Sequence, residues 1–252
     1  MNHDRRPHDA GITLAELLVT MMIMSFIVMA TAALVIGTQN ASQQNVNRLD
    51  QIQEARNGTE RMSQTLRTAV MPSQLLGGCL GCVGDAFVQG KRFEVQFYGN
   101  FENPNNSVGP SRITYTVSDP DADGVGELVQ SIQKPDSPYP TATGYQYCNP
   151  DPAANPSAAC LSNVRRSIVA RDVLVDPSKP LLRYFDQHGN EMHPGSGSLD
   201  GDQLSRVLSV EIHLRVQGQQ GANTQAKETS YIQRIMLPNA QAVIRQSQEE
   251  DS

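Results

Sequence analysis

One segment constrains the fold of this chain more than any other. Residues 17–36, LLVTMMIMSFIVMATAALVI, are 20 residues without a charge, Asn, Gln, Gly or Pro. As a helix rising about 1.5 Å per residue, such a run matches a hydrocarbon core about 30 Å thick. A buried core helix and a secretory signal are the alternatives, but signals carry only about 7–15 apolar residues, and no A-x-A-like cleavage site follows this run. The run therefore predicts a membrane-spanning helix.

Charges on the two sides of the run predict its orientation. Arg5 and Arg6 precede it, whereas the first basic residue after it is Arg48. Because basic residues stay on the cytoplasmic side, we expect a single-pass protein of the cytoplasmic (inner) membrane with its N-terminus inside and its bulk outside. Glu16 lies at the edge of the apolar run, where a carboxylate is costly in lipid unless it has a partner. Glu16 therefore requires an explanation.

The residues around Glu16 resemble a known signal. The segment GITLAELLV, residues 11–19, is similar to the type III signal of type IV pilins and of the pseudopilins of type II secretion. In that family a short leader ends in Gly, and Glu is the fifth residue of the mature chain. The resemblance implies cleavage between Gly11 and Ile12 by prepilin peptidase, N-methylation of Ile12, and a role for Glu16 in filament assembly. Ile12 stands where the family usually has Phe.

The resemblance also implies partners and a destination. The implied partners are prepilin peptidase, other pilins or pseudopilins through the N-terminal helix, the inner-membrane assembly platform, and membrane lipid before assembly. The assembled head would lie at the cell surface or in the periplasm as part of a filament. The competing hypothesis is a signal-anchored extracellular binding module that never polymerises and is not cut at Gly11.

A second helical pattern follows the apolar run. Apolar and small residues recur at steps of three and four: Val46, Leu49, Ile52, Ala55, Thr59, Met62, Leu66 and Ala69. Since no proline lies between Pro7 and Pro72, the stripe predicts one helix over residues 14–70. Gly37 and Gly58 each cost about 1 kcal/mol of helix stability, so fraying or bending is expected there. A stalk-like coiled coil is the alternative, although the steps depart from heptads.

From Pro72 onward the pattern is typical of strands. Half-buried strands are predicted at residues 93–98, 112–117, 126–132, 167–175, 181–185, 204–216 and 229–237. A turn is predicted at residues 186–190. The fold class is therefore α+β, with a long N-terminal helix packed against an antiparallel sheet. The expected parts are a leader (1–11), a membrane helix (12–36), an amphipathic extension (37–71), a β-rich head (72–239) and a polar tail (240–252).

Several segments of this head resemble one branch of the family. Residues 169–173, 182–186, 208–216 and 235–239, in that order, are similar to the larger minor pilins and J-type pseudopilins, as is the helix sequence at 51–56. The resemblance implies a minor, tip-located subunit of a type IV pilus or a secretion pseudopilus.

The four cysteines predict disulfides. Cys79, Cys82, Cys148 and Cys160 all follow the membrane run and so lie on the oxidising side. Three pairings are possible, and proximity favours Cys79–Cys82 and Cys148–Cys160. A zinc site fits poorly because the second pair lacks the short ligand spacing. A thioredoxin-like role for Cys79 and Cys82 lacks the βαβ context.

One acidic segment resembles the start of a calcium loop. Asp119, Asp121 and Asp123 alternate before Gly124 in the order D-x-D-x-D-G, and three carboxylates so spaced can surround Ca²⁺. The twelfth position, however, is Gln130 rather than a bidentate Glu. A solvated hairpin turn is therefore favoured over a Ca²⁺ site, and no other cofactor is expected.

Composition and motifs argue against two further classes of function. The chain of 252 residues has 20 Lys and Arg against 26 Asp and Glu, a formal net charge of −6. Nucleic acid is not expected as a partner, because such binding needs clustered Lys and Arg, although a local basic patch of Arg165, Arg166 and Arg171 stays open. No G-x-S-x-G, H-E-x-x-H or P-loop is present, and no nucleophile motif accompanies His188 or His193. We therefore do not expect this protein to be an enzyme.

Overall fold

A computed structural model describes residues 13–75, 81–82, 84–101, 103, 108–118, 123–195, 197–218 and 228–238. The chain divides into two compact units, Met1–Arg48 and Leu49–Ser252. The first unit contains the N-terminal part of one long helix, and the second contains the rest of that helix with an antiparallel sheet. The predicted α+β class is thereby confirmed.

Helix α1 spans Leu14–Leu66, 53 residues, and so confirms the predicted helix with an end four residues earlier. The helix is continuous through Gly37 and Gly58. A single glycine costs only about 1 kcal/mol, which is small against the cooperative stability of a long helix. Beyond α1, Val70 N–H donates to the Tyr98 carbonyl at 2.9 Å, which turns the chain toward the sheet.

The amphipathic stripe is buried only in its C-terminal part. The buried residues of α1 are Ala55, Gly58, Thr59, Met62, Ser63, Thr65 and Leu66, and Ala69 beyond it is also buried. Val46, Leu49 and Ile52, the first three positions of the stripe, are 48%, 57% and 39% exposed. Next to Ile52, Gln51 Oε1 accepts the Thr229 hydroxyl at 3.3 Å.

Within the described ranges the sheet has nine strands, all paired antiparallel, in the order β1-β2-β3-β4-β5-β8-β6-β7, with β9 paired to β8. Its strands are β1 Phe87–Gly90, β2 Glu94–Gly99, β3 Ser111–Ser118, β4 Val125–Gln133, β5 Val164–Leu174, β6 Leu182–Phe185, β7 Glu191–Met192, β8 Ser209–Val216 and β9 Thr229–Met236. Short helices α2 Pro72–Leu75, α3 Ala158–Ser162 and α4 Gly201–Ser205, with a 3₁₀ turn Pro152–Ala154, occupy the connections.

Six of the seven predicted strands are confirmed within a few residues as β2 to β6 and β9. The seventh, at residues 204–216, was too long, because α4 covers residues 204 and 205 and β8 begins only at Ser209. The sequence pattern also missed β1 and β7, which have 4 and 2 residues and are too short to show a period. The predicted turn at 186–190 is confirmed: Asp186 Oδ1 accepts the backbone N–H groups of His188 and Asn190 at 2.8 and 2.9 Å.

The helix packs where the sheet opens between β5 and β8. These two strands pair at one position only, Val173 with Val216. Gly58 of α1 faces this gap, and a Cβ built on it would lie 2.8 Å from Leu214 Cδ2 on β8 and 3.1 Å from Ala170 Cβ on β5. The glycine therefore lets the helix backbone approach both strands closely.

Polar side chains of α1 complete the open edge of β5. Glu54 Oε1 accepts the Arg171 backbone N–H at 2.8 Å, and Arg61 Nη2 donates to Ser167 Oγ at 3.3 Å. Glu54 and Arg61 are seven residues apart, two turns of helix, so both lie on the face that follows the strand. The backbone N–H of Arg171 thus has its partner on the helix, and the bond from Arg61 joins two side chains.

A buried hydrogen-bond network fixes the register of the helix on the sheet. Arg61 Nε donates to Gln130 Oε1 at 3.2 Å, and Gln130 Nε2 donates to Tyr115 Oη at 2.6 Å. Tyr115 Oη in turn donates to Thr65 Oγ1 at 3.0 Å, and that hydroxyl donates back to the Arg61 carbonyl at 2.8 Å. Burial raises the pKa of Tyr115 to about 12. Sliding the helix by one turn would leave these buried groups without partners.

Candidate functional site: the N-terminal part of the long helix

The helix begins with a capping box. Thr13 precedes the first helical residue, and Glu16 is the third residue of the helix. Glu16 Oε2 accepts the Thr13 backbone N–H and the Thr13 hydroxyl, both at 3.1 Å, and Thr13 Oγ1 accepts the Glu16 backbone N–H at 3.3 Å. Two N–H groups that a helix start leaves unpaired are thereby satisfied. Gly11 and Ile12, the predicted cleavage and methylation residues, lie outside the described residues.

The capping box was not predicted, although the sequence carries its signal. Thr13 and Glu16 form the T-x-x-E pattern just before an apolar run, which is the signature of a capping box. The bonds use one carboxylate oxygen twice. Glu16 Oε1 has no hydrogen bond within the described part of the chain, so one face of this carboxylate is open to a further donor.

The apolar segment of α1 presents its side chains outward. The large apolar residues between positions 17 and 36 are 49–68% exposed. Their hydroxyl-bearing neighbours satisfy themselves locally: Thr20, Ser25 and Thr31 each donate to a backbone carbonyl three or four residues earlier, at 2.7–2.9 Å. The segment therefore offers an uncharged surface without unpaired side-chain donors, as a hydrocarbon environment requires.

Length and composition agree with that geometry. Within α1 the most apolar 18-residue window has a mean hydropathy of 2.4, and none of it is buried. Among the described residues, α1 is the one helix long and apolar enough to cross a membrane. A single-pass N-terminal anchor is consistent with this finding.

The cysteines follow the predicted pairing where they are described. Cys148 and Cys160 form a disulfide, with Cα atoms 5.8 Å apart. The bridge joins the segment after β4 to α3 and lies beside Gln133, whose Nε2 donates to the Cys148 carbonyl at 2.6 Å. Cys82 is also disulfide-bonded, and its predicted partner Cys79 lies outside the described residues.

The acidic segment lies in the sequence between β3 and β4. These two strands pair antiparallel, and Ser118 at the end of β3 lies opposite Glu127 in β4. Asp123 Oδ1 accepts the Val125 N–H at 2.9 Å, whereas Asp119 and Asp121 lie outside the described residues. Gln130, the twelfth position of a calcium loop, lies in β4 and faces the helix, hydrogen-bonded to Tyr115. In the described residues, no three His, Cys, Asp or Glu side chains are grouped as metal ligands.

The remaining candidate residues do not converge on one site. Arg165 and Arg166 are consecutive in β5 and therefore point to opposite faces of the sheet. Arg171 lies further along the same strand, with its Nε 3.4 Å from Glu127 Oε1. His188 lies in the turn between β6 and β7, and His193 Nδ1 lies 3.4 Å from Glu191 Oε1. These positions do not build a three-arginine patch or bring a nucleophile to a histidine.

Comparison of the chain with known protein families, with curated proteins and with solved structures found no match. The residues at the start of α1 and the packing of its second half against the sheet therefore carry the functional proposal.

Proposed function

We propose that the chain is a pilin-like structural subunit. It would be made as a membrane precursor, processed between Gly11 and Ile12, and assembled through its N-terminal helix as a minor pilin or pseudopilin at or near the tip of a type IV pilus or a type II secretion pseudopilus. The observation that carries the proposal is Glu16, the only charged residue between Asp9 and Arg48. It lies in the first turn of a helix whose next twenty residues are uncharged and exposed.

Packing of the N-terminal helices in a filament would give the Glu16 carboxylate a role in assembly. If such helices pack together in a filament, the carboxylate leaves water, and an unpaired buried charge costs several kcal/mol. The amine of a processed neighbour beginning at Ile12 would supply the missing positive charge. Glu16 Oε1, which has no hydrogen bond in the described part of the chain, is the oxygen open to it. The pairing would set the axial position of each subunit.

The architecture of the second unit supports the same proposal. The sheet packs over the C-terminal part of α1, from Gln51 to Leu66. The large apolar residues between positions 17 and 36 are exposed, as a subunit that assembles by its helix requires. The proposed orientation has the head outside the cytoplasmic membrane, where the Cys148–Cys160 disulfide is stable.

A second candidate function is a membrane-anchored extracellular binding module. The observation in its favour is the capping box, because Thr13 already gives Glu16 a local role at the helix start. In that case Glu16 serves only to cap the start of the helix, and no cleavage or assembly follows from it.

Two substitutions distinguish the candidates. Glu16→Ala removes the carboxylate, whereas Thr13→Val removes the capping hydroxyl and leaves the carboxylate in place. The proposal predicts that Glu16→Ala stays in the membrane but is absent from sheared filaments, while Thr13→Val is still incorporated. Normal incorporation of Glu16→Ala would contradict the proposal. Equal loss of both variants would assign Glu16 to helix capping alone.

A further inference from the structure

A pocket on the outer side of the sheet has no assigned role. It has a volume of about 430 Å³ and lies between the turn at residues 177–180, strands β6 and β7, and the tight turn before β2. Its apolar lining residues are the buried Leu182 and Met192 together with Pro177, Pro180 and Pro194. Such a concave site with an apolar lining is the usual form of a ligand pocket.

Positive side chains dominate its rim although the protein is acidic overall. The titratable residues that line the pocket are Arg92, Lys179, Arg183, His193, His213 and Glu191. Three of these are positive at neutral pH and one is negative. Two further carboxylates, Glu211 and Glu228, pair with Arg183 and Lys179 from beside the pocket.

The cations differ in how far carboxylates already neutralise them. Arg183 donates from Nε to Glu191 Oε1 at 2.8 Å and from Nη1 to Glu211 Oε1 at 3.0 Å, so its guanidinium is fully engaged. Lys179 Nζ lies 3.9 Å from Glu228 Oε1, a loose pair. Arg92 has no carboxylate partner within the described residues.

Arg92 is held in place by neutral contacts. Its Nη1 donates to the Pro177 carbonyl at 3.0 Å, and its own carbonyl accepts the Leu182 N–H at 3.0 Å. The side chain is therefore oriented across the pocket while its charge stays uncompensated. A guanidinium so held is suited to a doubly hydrogen-bonded oxyanion.

The pKa of His213 depends on its burial and on the charged groups around it. It lies on β8, and burial lowers its pKa, with Arg215 lowering it further. Glu211 and Glu228 act in the opposite direction, and Arg183 adds to the lowering. An anion placed among these groups would favour the protonated imidazole.

We propose that this pocket binds a phosphate group, held by Arg92 and Lys179 with His213 and His193 as further donors. A phosphate presents several acceptor oxygens and up to two charges, which matches four donors arriving from separate walls. The phosphate comes either from the free anion or from the headgroup of an anionic lipid, two sources that share the same recognition chemistry. The site does not depend on the proposed assembly function.

The test uses the linkage between anion binding and histidine protonation. In the full chain in neutral detergent micelles, the pKa of His213 is measured by NMR of its Cε1–H, in inorganic phosphate and in chloride at equal ionic strength. We expect phosphate to raise this pKa by half a unit or more, which corresponds to about threefold tighter binding to the protonated form. An unchanged pKa in phosphate, and also in nanodiscs of phosphatidylglycerol compared with phosphatidylcholine, would overturn the proposal.

Two variants and one lipid comparison complete the design. Arg92→Gln should abolish the rise, whereas Arg206→Gln, an exposed arginine paired with Asp202 on α4, should leave it unchanged. A rise that survives Arg92→Gln would reflect general screening and would also overturn the proposal. A rise in free phosphate identifies the small anion as sufficient, and a rise only in phosphatidylglycerol nanodiscs identifies the lipid headgroup.

Discussion

Replacing Tyr115 by Phe tests whether the buried network holds the helix on the sheet. The phenol is fully buried, accepts a hydrogen bond from Gln130 Nε2 at 2.6 Å and donates one to Thr65 Oγ1 at 3.0 Å. Phe keeps the ring and removes both bonds. A buried donor left without its partner costs about 1–3 kcal/mol, so the free energy of unfolding should fall by that amount.

The pH dependence gives this prediction a second, independent part. Burial raises the pKa of Tyr115 from an ordinary value near 10 to about 12, since the folded state disfavours the phenolate. The resulting stabilisation is fully present below pH 10 and is lost as the pH rises toward 12. Linkage gives a loss of about 1.4 kcal/mol by pH 11. The Phe variant has no such term, so its deficit against the wild type should shrink as the pH rises from 8 to 11.

The assay is urea unfolding of the full chain in micelles, followed by the tyrosine signal in near-ultraviolet circular dichroism, because the chain has no Trp. Tyr139→Phe is the matched control, since Tyr139 is 75% exposed and should change the stability by less than about 0.5 kcal/mol. If Tyr115→Phe behaves like Tyr139→Phe, or if its deficit is the same at pH 8 and pH 11, the network does not stabilise the fold as described.

Three further predictions test separate parts of the structure. Asp172 has a φ of +54° at a register shift in β5, so Asp172→Gly should stabilise by about 1 kcal/mol in the same urea assay, and a loss of stability would contradict the strain. Gly58→Val should destabilise by about 1–3 kcal/mol through overpacking, whereas Gly37→Val, where a Cβ would meet no atom within 4 Å, should not lower the urea midpoint of the head. Replacing both Cys148 and Cys160 by Ser should cost about 3 kcal/mol, because the disulfide constrains the unfolded chain, and an unchanged midpoint would refute that contribution.

The long helix and most strands could be predicted because their signals are local. The absence of proline from position 8 to position 71 and the recurrence of apolar residues at helical spacing were enough for α1. Alternation of apolar and polar residues was enough for β2 to β6. The boundary of β8 was missed because Val207 and Leu208 extend its apolar pattern backward, although Asp200 and Gln203 form a capping box that marks α4.

Tertiary packing decided the features that the sequence could not indicate. Leu49 and Ile52 continue the apolar stripe, yet both are exposed in the folded chain. Gly58 looked like a weak point of the helix, and its role became visible only once β5 and β8 were placed around it. The Tyr115 network joins residues up to 69 positions apart in the chain, a distance over which periodicity carries no information.

The two candidate sites also differ in how far the sequence could predict them. The T-x-x-E pattern of Thr13 and Glu16 could be read from the sequence, because a capping box is made by neighbours in the chain. The pocket beside Arg92 could not, since its walls come from the turn before β2, from residues 177–180 and from strands β6 to β8. Only the folded sheet brings these residues together.

The most direct test of the central proposal is the intact mass and N-terminal sequence of the protein recovered from its native membrane. Processing as a pilin-like subunit predicts a chain that begins at Ile12, with the added mass of one methyl group on its amine. A chain that still begins at Met1 or Asn2 would contradict cleavage at Gly11, and with it the pairing of Glu16 to a neighbouring amine.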